Sequence, residues 1–326
     1  MNSAKLNQDT SALPAAAVSV PVQFRRESFW RFMKKNHGLY VMLIPVLLYF
    51  LVFRYIPLMG SVIAFKDYNI YKGFIDSEWF GFRWFEIMFS NPQYIVIIKN
   101  TLLISLYQIV FAFPAPILLA CLLNELRHMA FKRSVQTVLY LPHFLSWTLV
   151  YGLAFMMLST QSGLVNEVFK GMGQDAVPFL SSSDYFRSVI VGAGVWKEMG
   201  WSAIIFLAAL SGINPSLYEA AKIDGAGRWK QFLNVTLPGL LPAIVILLLL
   251  KIGNIMDVGF ESIYIFLSPT TLAVGEVLDT YAYRAGIIGG QYSFTTAIGL
   301  FKSVIGFILL VSANRISRAV SGESLY

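Results

Sequence analysis

The stretch from Asn214 to Pro242, NPSLYEAAKIDGAGRWKQFLNVTLPGLLP, is a polar island in a strongly apolar half of the chain. Leu217, Ala220, Ala221 and Asp224 recur at i, i+3, i+4 and i+7, so a short helix here presents a narrow face of small residues that another protein can approach closely. Gly225 is placed to stop that helix. A second short helix is expected over roughly Arg228 to Val235, ending before Pro238, where the chain turns into the apolar run from Leu240. Two short helices at an angle make a knob.

The rest of the chain sets the solvent in which that knob works. Its 326 residues are 56% hydrophobic and 13% charged, with mean hydropathy +0.63. A soluble domain of this size cannot bury so much apolar side chain, so the bilayer is the expected solvent. Six runs are long enough to cross about 30 Å of hydrocarbon at about 1.5 Å per residue: roughly Leu39 to Ala64, Tyr94 to Leu123, Val135 to Leu158, Val189 to Leu210, Leu240 to Ile265 and Thr295 to Ser317. The expected fold is all-α, a polytopic membrane protein with a tail over 1–36 and a transmembrane domain over 37–326 that carries the polar loop 214–238. Pro45, Pro57, Pro114, Pro116 and Pro142 fall inside the runs and read as kinks, which lipid-embedded helices tolerate.

Met1 to Gln23 is rich in Ala, Ser, Val and Pro and reads as a disordered tail, while Ala15 to Val20 is too short for the apolar core of a cleavable signal. Phe29, Phe32 and Met33 share a helical face beside Arg25, Arg26, Arg31, Lys34 and Lys35. This is either a helix lying on an anionic membrane surface or only an orientation signal. Basic residues also gather at Arg127, Lys132 and Arg133, at Lys222, Arg228 and Lys230, and at Arg315 and Arg318, whereas those of the opposite loops are spread thinly. The positive-inside rule then puts both termini and the Glu219 loop in the cytoplasm. Cys121 stands alone, which excludes an intrachain disulfide and a cysteine metal cluster, and His37, His128 and His143 lie far apart near helix ends.

A charge at bilayer depth costs on the order of 3 kcal/mol and usually faces a cavity or a partner. Lys99, Lys197, Glu198, Lys251 and Lys302 stand out on this ground. Lys251, Asn254, Asp257 and Glu261 recur at helical spacing and draw a polar stripe, the candidate wall of a pathway. Lys197 and Trp201, one turn apart, would pair a cation with a ring on which a sugar stacks. The alternative is that Lys197 or Lys251 makes a structural ion pair with Glu198 or Asp257.

Outside the spans, Asp76 to Phe89 places Phe82, Phe85 and Phe89 on one face. A helix along the outer interface is expected there, anchored by Trp79 and Trp84, with plain packing or an extracytoplasmic partner as its use. The loops from Ser159 to Tyr185 and from Ser268 to Tyr292 hold turn formers and no recognisable site chemistry.

Glu219-Ala220-Ala221, Asp224-Gly225-Ala226, and then Phe232, Val235, Leu237 and Pro238 closely resemble the EAA signature of the membrane subunits of binding-protein-dependent ABC importers. Tyr140-Leu141-Pro142-His143-Phe144, Val258 to Tyr264, Asp279 to Arg284 and Gly299 to Ser303 are similar to the sugar branch of that family. Within the branch they come nearest the subset for oligo- and polysaccharides, the first membrane subunits of alginate importers included.

The resemblance implies a type I importer permease in the bacterial cytoplasmic membrane, with Glu219, Ala220, Ala221, Asp224, Gly225 and Ala226 seated in a cleft of the ATPase. It further implies a second, related permease, two ATPase subunits that hold ATP and Mg, an extracytoplasmic solute-binding protein and an oligosaccharide substrate, in alternating access. No cofactor, metal or nucleic acid is expected on this chain. It carries no phosphate loop, metal-ligand cluster or Ser/His/Asp spacing, so no catalytic residue is assigned. An ATP-independent transporter or channel would need internal repeats or paired broken helices, and the halves show no self-similarity. An intramembrane enzyme would need a catalytic set that is not found.

Overall fold

The computed structural model describes residues 33–322 and Ser324. The expected tail and most of the expected interfacial helix, with Phe29 and Phe32, lie outside the described residues. The described chain divides into two units at the boundary between Met59 and Gly60. In the first unit, helix His37–Phe50 runs on through a π-helical turn, Leu51–Tyr55, to Ile56–Met59. None of its residues is buried, as suits a helix that is apolar all round and solvated by lipid.

Among the described residues, five helical runs are long and apolar enough to cross a membrane: His37–Phe65, Pro92–Asn124, Ser183–Ser211, Arg228–Gly253 and Tyr292–Ala319. Met129–Phe144 and Trp147–Leu158, which meet at 105°, are together long and apolar enough for one more span, broken at its middle and third in chain order. The run expected from Val135 to Leu158 is therefore not one helix. Pro142 cannot bond back to the preceding turn, Leu141–Phe144 tightens into a 3-10 turn, and Leu145 is extended. Ser146 then caps a new helix, its Oγ accepting from the Leu149 N–H at 3.3 Å.

The other prolines are absorbed differently. π-Helical turns occupy Leu51–Tyr55, Gln108–Ala112 and Phe232–Thr236, and each ends two residues before a proline, Pro57, Pro114 and Pro238. Proline collides with the carbonyl four residues back, and one extra residue in the turn moves that carbonyl aside. The chain accordingly does not turn at Pro238. The expected second short helix of the knob is the root of the fifth span, which begins at Arg228.

At its other end that span stops earlier than expected. The helix ends at Gly253, the chain is irregular from Asn254 to Gly259, and a separate helix covers Phe260–Phe266. Lys251, Asn254, Asp257 and Glu261 therefore do not form a stripe on one helix. Gly259, at φ +91°, a region of backbone that favours glycine, stands just before that helix.

Lipid gives spans no hydrophobic reason to associate, so close backbone approach at small residues matters more. A Cβ on Gly200 of the fourth span would strike the Leu139 carbonyl, and one on Gly306 of the sixth would lie 2.6 Å from the Gly253 carbonyl. Around these crossings Ile104, Phe186, Ile190, Val258, Ile263 and Val277 form one buried cluster. Met88, Ile97, Met256, Leu278 and Phe294 form a second, and Ala120, Ala203, Phe206 and Leu240 a third.

The segments between the spans are more structured than expected. The helix is confined to Arg83–Ser90, while Glu78–Trp79 pairs antiparallel with Lys66–Asp67. Phe65 gathers the rings of Trp79, Phe82 and Phe85 within 6.0 Å, and Trp84 Nε1 donates to the Lys66 carbonyl at 3.0 Å. The segment between the fifth and sixth spans is no loose loop either, for Thr271, Val277, Leu278 and Thr280 are buried. Buried Asn100 of the second span binds it with Nδ2 to the carbonyls of Ala273 and Glu276 at 3.0 and 3.2 Å.

Candidate functional site

A cavity of about 530 Å³ opens among the second, fourth and fifth spans and the Asn254–Gly259 segment. Its walls are largely apolar, and its polar groups are Gln108, Glu198, Ser202, Lys251, Asn254 and Ser262. Few polar groups on an apolar lining orient a ligand without trapping it.

Gln108 organises one wall. It opens the π-helical turn ahead of Pro114, where the Phe113 N–H reaches back to the Gln108 carbonyl at 2.9 Å. Its side chain accepts from Lys251 Nζ at 2.9 Å through Oε1 and donates to the Val258 carbonyl at 3.0 Å through Nε2. Ser105, one turn earlier, donates to the Ile255 carbonyl. Irregular backbone at membrane depth must find internal hydrogen bonds, and the second span supplies two of them. Asn254 Nδ2 takes up the Leu250 carbonyl at 3.0 Å.

The opposite wall is pinned at the corner of the broken third span. Lys197 is buried, donates to the His143 carbonyl at 2.5 Å, pairs with Glu198 Oε1 at 3.1 Å and lies 5.7 Å from the Trp147 ring centre. His143 Nδ1 meets Glu198 Oε2 at 2.7 Å, and the His143 ring stacks on Trp201 at 4.5 Å with the planes 2° apart.

Of the candidate pathway residues, Lys251 and Asn254 line the cavity. Asp257 and Glu261 are exposed, on either side of Gly259. Lys197 is spent on the structural pair with Glu198, which was the alternative reading, and one face of Trp201 is covered by His143. Lys302 is paired with Asp279, and Lys99 is exposed. Gln108 and Ser202, which also line the cavity, are not singled out by the sequence. A lone glutamine within an apolar run was the only available signal for the first, and a serine on a span carries none.

The knob is an exposed helix, Pro215–Ile223, with no buried residue. Asn214 caps it, Oδ1 accepting from the Ser216 N–H at 3.0 Å, and Pro215 sits in the first turn, where its missing N–H costs nothing. At the far end Gly225 has φ +72°, its N–H donates to the Lys222 carbonyl at 3.0 Å, and the Ala226 N–H donates to the Ala221 carbonyl at 2.8 Å. That pair of bonds is a Schellman cap, which needs the left-handed residue at Gly225. Tyr218 Oη and Thr236 Oγ1, 3.0 Å apart, tie the helix to the root of the fifth span, and Gln231 Nε2 holds the Ala226 carbonyl at 2.8 Å. Glu219, Ala220, Asp224 and Gly225 remain exposed, with Ala221 and Ala226 half-buried.

Residues 112–322 match the family described as binding-protein-dependent transport system inner membrane component. The chain belongs to this family.

Among its relatives, protein LplB of Bacillus subtilis (strain 168) is 45% identical to the permease over 90% of this chain and 92% of its own. The polygalacturonan/rhamnogalacturonan transport system permease protein YteP of the same organism is 43% identical over 97% and 99%. A chain from the crystal structure of a bacterial alginate ABC transporter, in complex with alginate pentasaccharide-bound periplasmic protein, superposes with a TM-score of 0.85 at 39% identity, covering 92% of the permease and all of that chain. The permease is a multi-pass membrane protein of the type I importer fold that groups with sugar-importer permeases, a transport subunit and not an enzyme.

Proposed function

We propose that the permease forms half of the translocation path for an acidic oligosaccharide, a uronate polymer such as alginate, and is driven through helix Pro215–Ile223 by an ATPase pair. The observation that carries the reading is the cavity: it places the Lys251 ammonium, held by Gln108, among apolar walls with Ser202, Asn254 and Ser262 as further polar groups, while the one carboxylate there, Glu198, is paired with Lys197 and His143. A cation at that depth favours a carboxylate-bearing sugar over a neutral one. The names of YteP and of the alginate transporter, both for polyuronates, support the same class.

In this reading a second permease supplies the other half of the path and an extracytoplasmic binding protein delivers the sugar. Of the two ATPases, which hold ATP and Mg, one docks on the Glu219–Ala226 knob and the other on the second permease, and both termini lie in the cytoplasm. Closure of the ATPases displaces the knob, which moves the fifth span because Arg228–Gly253 starts two residues after the Schellman cap. The cavity wall bearing Lys251 lies on that same span.

The test is ATP hydrolysis by the purified complex with its binding protein and matched alginate, oligogalacturonate or neutral oligosaccharides. Stimulation by the uronates alone is expected. Equal stimulation by a neutral glycan of the same length would refute the acidic-substrate reading.

A further inference from the structure

Beneath the knob, a second cavity of about 300 Å³ lies between the end of the second span (Asn124, Glu125, Arg127), the knob helix (Tyr218, Lys222) and the root of the fifth span (Arg228, Gln231, Phe232). Three cations face it against one carboxylate. Arg228 reaches Glu125 only at 3.8 Å, and the side chains of Arg127 and Lys222 have no partner among the described residues. The Tyr218 and Thr236 hydroxyls and the Gln231 amide add neutral hydrogen-bonding groups to the same walls. Its depth is marked twice. The second span ends at Asn124, and exposed Trp229 stacks on Phe232 at 5.3 Å, an aromatic pair of the kind found at the headgroup level.

Cations gathered at the end of membrane spans, beside interfacial rings and short of carboxylates, suit a phosphate that carries acyl chains. We infer that this cavity binds the phosphodiester headgroup of an anionic phospholipid, wedged between the knob and the two spans it adjoins. A headgroup there bridges Lys222 on the knob to Arg127 on the second span and stiffens the joint through which the knob moves the fifth. The inference rests on the cytoplasmic placement of the knob proposed above, but its test reads lipid binding and so can fail or succeed whether or not the knob couples to an ATPase.

The experiment is native mass spectrometry and thermal unfolding of the detergent-purified complex with added phosphatidylglycerol, phosphatidylcholine or inorganic phosphate. Phosphatidylglycerol is expected to remain bound and to raise Tm, with phosphatidylcholine and phosphate doing neither. Arg127→Gln and Lys222→Gln should each weaken phosphatidylglycerol binding by about fivefold, the worth of one cation near a membrane surface. Glu125→Gln should tighten it by about the same factor, a gain that damage to the fold would not mimic. Arg133→Gln, an exposed cation outside the cavity, should leave it unchanged.

Several results would overturn the inference. Equal effects of the two lipids would do so, as would an undiminished phosphatidylglycerol effect in the Arg127→Gln/Lys222→Gln variant. An equal response to inorganic phosphate would assign the site to a soluble anion. Loss of the ATPase subunits from that double variant, with lipid binding intact, would assign the cations to the ATPase interface.

Discussion

Lys251 Nζ and Gln108 Oε1 stand 2.9 Å apart, joining the fifth span to the second across the wall of the cavity. The same glutamine holds the Val258 carbonyl at 3.0 Å, so one side chain gives a half-buried ammonium an acceptor and the irregular backbone beyond Gly253 a donor. A hydrogen bond to a charged group contributes about 1.5–3 kcal/mol, and two functions meet at this residue.

Gln108→Leu is therefore expected to destabilise the complex by about 2–4 kcal/mol, by leaving an ammonium and a carbonyl without partners. Adding Lys251→Met should recover at least about 1 kcal/mol, since the pair is coupled. Thermal unfolding of the four members of this cycle measures it, and strict additivity would show that the two side chains act independently.

Lys197→Met should cost folding and not sugar preference, because Lys197 ties the fourth span to the His143 carbonyl and to Glu198. Losing the charged hydrogen bond to the His143 carbonyl costs about 1.5–3 kcal/mol. Expression level and Tm should both fall while the ratio of uronate to neutral stimulation holds. Lys251→Met should lower that ratio.

At the knob, Gly225→Val and Gly225→Ala should both impair transport, since each must hold φ near +72°. The cost is about 1–2 kcal/mol of local strain, although no neighbour within 4 Å would clash with the new Cβ. Gly225→Asn should retain more activity than either, because asparagine tolerates the left-handed region. Transport assays at equal membrane abundance give the order, and wild-type transport by Gly225→Val would remove the need for the cap.

In a Cys121→Ala background, cysteines at Asn254 and Ser202 should react with a small hydrophilic thiol reagent, whereas one at Met256, 4% exposed, should not. Labelling at Asn254 should change when ATP closes the ATPase pair. Equal protection at all three positions in every nucleotide state would place the path elsewhere.

Gly200→Ala should prevent the fourth span from crossing the first half of the third, where its Cβ would meet the Leu139 carbonyl. Overpacking of this kind costs about 1–3 kcal/mol. A fall in Tm larger than that of Gly192→Ala, where no atom lies within 4 Å, is the expected result.

The sequence by itself determined what depends on near neighbours in the chain: six apolar segments, a short helix through Leu217 and Ala221 stopped at Gly225, and the motif that marks the family. Hydropathy is a property of each segment and a Schellman cap closes within six residues, so both are legible without the fold. Only the tertiary structure decided which polar groups share the cavity. Lys251 and Val258 meet Gln108 from about 150 residues away, and Ser105 reaches Ile255 over the same separation.

Helical spacing alone put Lys251, Asn254, Asp257 and Glu261 on one stripe, because a periodicity carries no notice of where the helix stops. The break at Asn254–Gly259 survives in the membrane only because side chains of another span satisfy its carbonyls, and that is a fact of packing. The same holds for Lys197, whose charge was visible in the sequence and whose partners, the His143 carbonyl and ring-bearing corner of a span bent by 105°, were not.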